Sequence, residues 1–185
     1  MRLNPAKWFA NLPNLITLAR LLMTPLAVSM MLSHRFVEAF GIFVIAGISD
    51  GLDGFIAKRF NLTTELGAYL DPLADKALLI SIYVTLAALG ELTPALPILV
   101  VSRDVMILAA IMVSWLLGKP VAIRPVFISK VNTVLQIGFA ALLLGSRAFG
   151  FHDLLTQEVV AWIVAASTLA SGAVYITQWL NHMSL

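Results

Sequence analysis

An all-α integral membrane protein is the fold class this chain predicts, and three observations predict it. Of its 185 residues 60% are hydrophobic and only 12% are charged. The mean hydropathy of +0.94 lies beyond what a domain with a fully aqueous surface carries. Stretches long enough to cross about 30 Å of hydrocarbon as helix, roughly 20 apolar residues each, recur six times. The connectors are short, so residues 1–185 read as one transmembrane domain.

The first residues, MRLNPAKWFANLP, lack the apolar core and small-residue cleavage site of a signal peptide. With Trp8 and Phe9 at headgroup level they are expected to form a short interfacial helix. Six spans follow, near 14–33, 37–60, 67–90, 94–117, 127–146 and 155–180. Arg2, Lys7, Lys58, Arg59, Lys119 and Arg124 fall on one side of the membrane, against Arg35 and Arg147 on the other. The excess of positive charge puts both termini in the cytoplasm. In the sixth span Trp162, Tyr175 and Trp179 read as packing or interfacial aromatics, and STLASGA, 167–173, as small residues for helix contact.

Several function classes are excluded. The chain has no cysteine, so disulfides and thiolate metal sites are absent, while the compartment stays open. His34, His152 and His182 fall at predicted span ends without clustering, which argues against soft-metal chemistry. The net charge is only +2, with basic residues scattered and not interleaved with aromatics, so no nucleic acid is expected as a partner. No internal repeat supports an inverted-repeat transporter.

The chemistry concentrates in two segments, ISDGLDGFIAKRF (48–60) and GAYLDPLADK (67–76), which hold four of the ten acidic residues. Helical positions i, i+3, i+4 and i+7 share a face. Asp50, Asp53, Gly54 and Ala57 therefore form one stripe on the second span, and Gly67, Asp71 and Asp75 another on the third. Glycine and alanine beside the carboxylates leave the backbone open to a bulky ligand. An ionised aspartate at membrane depth costs on the order of 2.5 to 3.5 kcal/mol, so four together need compensation. A site offering only carboxylate oxygens suits a hard cation, Mg²⁺ or Mn²⁺, and four carboxylates can hold two. Pairing with Lys76 or Arg20, or capping of a helix end, accounts for a lone aspartate. A proton relay or ion-conducting site accounts for the charges but not for the glycines.

The set Asp50, Asp53, Gly54, Ala57, Lys58, Gly67, Asp71 and Asp75 resembles the signature of the CDP-alcohol phosphatidyltransferases. The family has arginine at the position of Lys58, with Arg59 next to it here. The charge survives, but the bidentate phosphate fork does not unless Arg59 supplies it. The resemblance implies a reaction in which a hydroxyl attacks the β-phosphorus of a CDP-linked lipid and CMP leaves. It implies two divalent cations, Mg²⁺ or Mn²⁺, held by Asp50, Asp53, Asp71 and Asp75, with Asp75 also the catalytic base. It assigns Pro13, Asn14, Thr17, Gly54, Ala57, Lys58, Thr64 and Gly67 to CDP-lipid binding.

Within the family, VSRDVMILAAIMV (101–113) and IRPVFISKVNTVLQ (123–136) resemble the CMP-forming cardiolipin synthases, including Asn132 where phosphatidylglycerophosphate synthases tend to have lysine. That resemblance implies CDP-diacylglycerol as donor and phosphatidylglycerol as acceptor, with Arg103, Arg124 and Lys130 binding the acceptor. Glycerol 3-phosphate is the alternative acceptor, and a cation transporter with a carboxylate relay is the alternative class. A homodimer in the bacterial inner (cytoplasmic) membrane, with the active site facing the cytoplasm, completes the expectation.

Overall fold

The computed structural model describes the backbone of residues 5–60, 65–118, 127–151 and 153–183, and the side chains within these ranges except those of 5–14 and 53–72. Six helices occur in the described residues: α1 (Pro5–Leu32), α2 (Phe36–Phe60), α3 (Glu65–Ala88), α4 (Ala95–Leu116), α5 (Phe127–Phe149) and α6 (Leu154–Met183). Four contain apolar stretches long enough to cross a membrane, at Leu15–Leu32, Ala95–Leu116, Phe127–Phe149 and Leu154–Met183. The other two, α2 and α3, have 25 and 24 residues and carry the aspartates.

The expected separate interfacial helix is corrected: residues 5–32 form one α1 of 28 residues. Pro13 does not end it. A proline removes one N–H, and in an apolar helix neighbouring groups can re-satisfy the freed carbonyl.

Tight links turn the chain back at each end. After α1 the backbone passes through His34 at φ 56°, and the Arg35 amide donates to the Met30 carbonyl at 2.8 Å, the six-residue closure that ends a helix through a left-handed residue. After α3 the same closure uses Gly90 at φ 76°, with the Glu91 amide donating to the Leu86 carbonyl at 2.9 Å. Glycine reaches that conformation without the Cβ penalty that histidine bears.

α1 packs along α2 and α3, α5 lies between α2 and α6, and α4 leans on α6 and α3. Ala27, Met31, Ala39, Phe43, Ile82, Leu86, Phe139 and Leu143 form the buried core. Tyr83 stands edge-on to Phe139 with ring centroids 6.2 Å apart, and its hydroxyl donates to the Gln136 carbonyl at 3.0 Å. α4 and α6 run in the same direction, since Arg103 meets Ser171 while Trp179 donates to Ser114 at 2.7 Å. Gly172 permits their approach: a Cβ there would lie 3.4 Å from the Met106 methyl and 3.7 Å from Arg103 Cγ.

At the start of α6 Asp153 caps the helix, accepting from the Thr156 hydroxyl and from the Thr156 amide at 3.2 Å. The hydroxyl bond, then the amide bond, holds this carboxyl below its ordinary value. A depressed folded-state value stabilises the fold above the unfolded value, about 3.9, and that contribution disappears as pH falls through the folded value. Asp153→Ala should lower the thermal midpoint at pH 7, and the gap from wild type should close as the scan is repeated at progressively more acidic pH. A gap unchanged down to about pH 2, below both values, would contradict the cap.

Candidate active site

α1 carries a polar stripe in an apolar helix. Thr17, Arg20 and Thr24, at i, i+3 and i+7, are all buried and face the seam between α2 and α3. Arg20 Nη1 lies 2.8 Å from Asp50 Oδ1 and 2.5 Å from Asp75 Oδ1. One guanidinium nitrogen thus joins carboxylates from two helices. The arginine side chain is 1% exposed, whereas Asp50 and Asp75 are 44% and 47% exposed.

These carboxylates open onto a cavity of about 540 Å³ bounded by α1 to α5. Its polar wall continues through Lys76, Asp104, Thr133 and Gln136, and Phe43, Val44, Leu79 and Ile80 contribute an apolar one. Asp104 forms a second ionic cluster, binding Lys76 Nζ and, at 2.7 Å, Arg103 Nη1. Arg103 Nη2 donates to the hydroxyls of Ser129 at 2.5 Å and Ser171 at 2.6 Å, and its guanidinium lies 5.3 Å from the centre of the Tyr175 ring, within cation–π range. Its Nε has no hydrogen-bond partner among the described residues.

The two clusters have opposite sign. Among the described residues, Arg20 with two aspartates leaves one net negative charge, and Lys76 and Arg103 with one aspartate leave one net positive charge. Both border one cavity that also has an apolar wall.

Residues 10–173 match the family model for CDP-alcohol phosphatidyltransferase. The chain belongs to that family. It is 34% identical to CDP-diacylglycerol--glycerol-3-phosphate 3-phosphatidyltransferase 1, chloroplastic, of Oryza sativa subsp. japonica, over 90% of this chain and 56% of the rice protein. It is 33% identical to the cardiolipin synthase (CMP-forming) of Rattus norvegicus, over 88% of this chain and 59% of the rat protein. The chain therefore spans a little over half the length of these two relatives. With the CDP-diacylglycerol--glycerol-3-phosphate 3-phosphatidyltransferase of Rickettsia felis it shares 30% identity over 89% of this chain and 93% of the relative.

The expected family residues fall in different places. Asp50 and Asp75 are brought together by Arg20. Asp53 and Asp71 lie within α2 and α3, one turn from Asp50 and Asp75, and their side chains fall outside the described residues, as do those of Pro13, Asn14, Gly54, Ala57, Lys58 and Gly67. Thr64 and Arg124 lie outside altogether. Thr17 is buried on the Arg20 stripe. Among the described residues no three aspartates, glutamates or histidines group together.

Of the expected acceptor ligands, Arg103 stands behind Asp104 and is not part of the cavity wall. Lys130 is exposed at the start of α5, on the stripe of Thr133 and Ile137, which do line the cavity. Asn132 is fully buried and faces α6, its Oδ1 accepting from Ser167 at 2.7 Å and Thr168 at 2.9 Å. Lys76 and Arg20 were weighed from sequence only as ion-pair partners. Arg20 was detectable from its cost, a permanent charge in the middle of an apolar span.

Removing one member of a buried ionic cluster strands the others. Asp104→Ala should cost on the order of 3 kcal/mol of stability, because it leaves the buried Arg103 without its carboxylate. Lys76→Met, at a half-exposed position, should cost less than about 1 kcal/mol. Thermal or denaturant unfolding in detergent checks the order, and a Lys76 variant as damaged as the Asp104 variant would refute it.

Proposed function

We propose that this protein transfers the phosphatidyl group of CDP-diacylglycerol to phosphatidylglycerol, forming cardiolipin and CMP. The observation that carries this reading is the single cavity bordered by a net-negative and a net-positive cluster with an apolar wall between membrane helices. All six helices cross the membrane in this proposal. Both termini and the carboxylate end of the cavity face the cytoplasm of a bacterial cell, and the chain works as a homodimer. The basic residues at the span ends and the Rickettsia relative support the setting.

Asp50, Asp53, Asp71 and Asp75 would hold two divalent cations, Mg²⁺ or Mn²⁺. The described part of this donor set fits such ions: Asp50 and Asp75 offer only hard oxygens, are half open to the cavity and converge on one point. When bound, the cations supply Lewis-acid polarisation of the diphosphate and neutralise charge on the departing CMP. Asp75, about half exposed to the cavity, takes the proton of the attacking glycerol hydroxyl. The hydroxyl oxygen forms the new bond to the β-phosphorus, and the bond from that phosphorus to the bridging oxygen breaks. CMP leaves with the electron pair. The apolar wall takes acyl chain, and Lys58 or Arg59 the diphosphate.

The acceptor follows from charge. The Lys76–Asp104–Arg103 cluster has one net positive charge, which matches the single negative charge of a phosphodiester such as phosphatidylglycerol. Lys76 meets that phosphate from the wall, Lys130 from the mouth, and Arg124 adds to the basic side. Arg103 holds Asp104 and through it sets the position of Lys76. Glycerol 3-phosphate, a phosphomonoester dianion, is the second reading, and the near full-length match to the Rickettsia felis protein favours it.

Purified protein incubated with CDP-diacylglycerol and Mg²⁺ or Mn²⁺ should yield cardiolipin and CMP when phosphatidylglycerol is the acceptor, and little product when glycerol 3-phosphate replaces it. Phosphatidylglycerophosphate formed readily with no cardiolipin would replace the acceptor, and cation flux in liposomes without any CDP-lipid would replace the class. Asp50→Asn and Asp71→Asn should each reduce CMP release to below about a tenth of wild type, since each removes a charged cation ligand. Asp75→Asn should lower turnover by roughly 10² to 10⁴ with a smaller change in donor affinity, and normal turnover with weakened donor binding would contradict its role as base. Lys76→Ala should raise the apparent KM for phosphatidylglycerol about tenfold or more, leaving the donor KM nearly unchanged.

A further inference from the structure

We infer that Arg20 is a positioning residue, an internal counter-cation that couples Asp50 of α2 to Asp75 of α3 and turns both carboxylates towards the cavity. Nothing in the proposed reaction requires this arginine to touch substrate. Its place is nevertheless unusual for an ion pair: the side chain is 1% exposed in the middle of α1, and a single nitrogen meets both carboxylates.

The geometry defines what the contact does. Arg20 borders the cavity but is almost wholly buried, so it lies behind the two half-exposed carboxylates. It holds the Oδ1 atom of each, and both side chains remain about half exposed towards the cavity they line. The helix carrying it packs against both α2 and α3. Three helices are therefore joined at one point. The contact works as a clamp between α2 and α3. Without it, two carboxylates facing each other across a helix seam repel in a low-dielectric setting. An exposed pair would be screened and worth little, but this cation is shielded from solvent.

The coupling of the two helices needs no bound ion. Its catalytic consequence rests on the reading of Asp50 and Asp75 as cation ligands given above, and one experiment separates the two. Thermal unfolding of the full-length protein in detergent, in chelator and again with Mg²⁺ or Mn²⁺, is compared for wild type, Arg20→Met, Arg20→Lys, Asp75→Asn and the Arg20→Met/Asp75→Asn double variant.

In chelator Arg20→Met should lower the midpoint, and adding Asp75→Asn to it should raise the midpoint again, with a coupling of about 5 °C. Arg20→Lys, which keeps the charge, should retain part of the wild-type midpoint. Added cation should stabilise Arg20→Met more than wild type, because it replaces the missing charge between the carboxylates. If Arg20→Met cannot be purified folded in chelator, recovery of folded protein by the second substitution becomes the readout, and a double variant that also fails overturns the inference. Additive single changes likewise overturn it, even if added cation stabilises every variant and the metal reading survives. Coupling without any response to added cation supports the clamp and removes the metal reading.

Discussion

Charge held between apolar helices is the constraint on which the rest of this structure depends. Arg20, Asp50, Asp75, Lys76, Arg103 and Asp104 all lie within long helices, and an unpartnered charge buried between such helices is expensive. Each charge is met by an opposite one, from another helix for Arg20, Asp50, Asp75, Lys76 and Asp104 and from its chain neighbour Asp104 for Arg103. Arg20 ties α1 to α2 and α3, and Lys76 ties α3 to α4. These contacts fix the mutual rotation of the helices more sharply than packing alone, because apolar faces slide past one another at little cost whereas an ion pair has one register. The ionic clusters that a substrate would use thus also help to set the helix arrangement.

The remaining seams use hydroxyl and amide groups in the same way. Between membrane helices the hydrophobic effect gives little drive to associate, and small residues with hydrogen bonds take over. Ser167 and Thr168 of α6 bind Asn132 of α5, Ser171 binds Arg103 of α4, and Gly172 lets α4 come close enough for this. The segment at 167–173 supplies the close packing its small residues suggested, and its hydroxyls hold Arg103, which in turn holds Asp104. A structural seam and the polar wall of the cavity are in this way one network.

How much of this was legible in the sequence depends on the range of the interaction. The spans were read to within a few residues of α2 to α5, because apolar length and punctuation are local signals. Less local features escaped. The first residues read as an interfacial helix separate from the first span, but α1 runs through both. Asn132 looked like an acceptor-selecting position, yet its side chain turns to α6, since spacing along one helix cannot say which neighbour will offer the hydroxyls. Asp50 and Asp75 could be placed on stripes and expected to face each other. That Arg20, 30 residues before Asp50, would meet both could not be read, because nothing local links position 20 to positions 50 and 75. The pairing of aspartate with Arg20 and the role of aspartate at the site had stood as alternatives, and one arrangement now accommodates both.

The two clusters also bear on the choice between the proposed transferase and a relay. A chain of carboxylates that passes protons or cations along a path has no use for a net-positive cluster on the same cavity, which would oppose the moving charge. The proposed transfer would use both signs at once: negative charge for cations at the diphosphate and positive charge for the acceptor's phosphate. In water such opposing groups would be screened within about 8 to 10 Å. Beside an apolar wall, with Arg20 and Arg103 buried behind the groups they hold, they keep their fields and are kept from collapsing onto each other. Among the described residues each cluster is internally compensated to within one charge, which leaves one unit of attraction for an incoming group. That residual charge, negative on the α2–α3 side and positive at α3–α4, gives the cavity a direction along which a donor and an acceptor can be aligned.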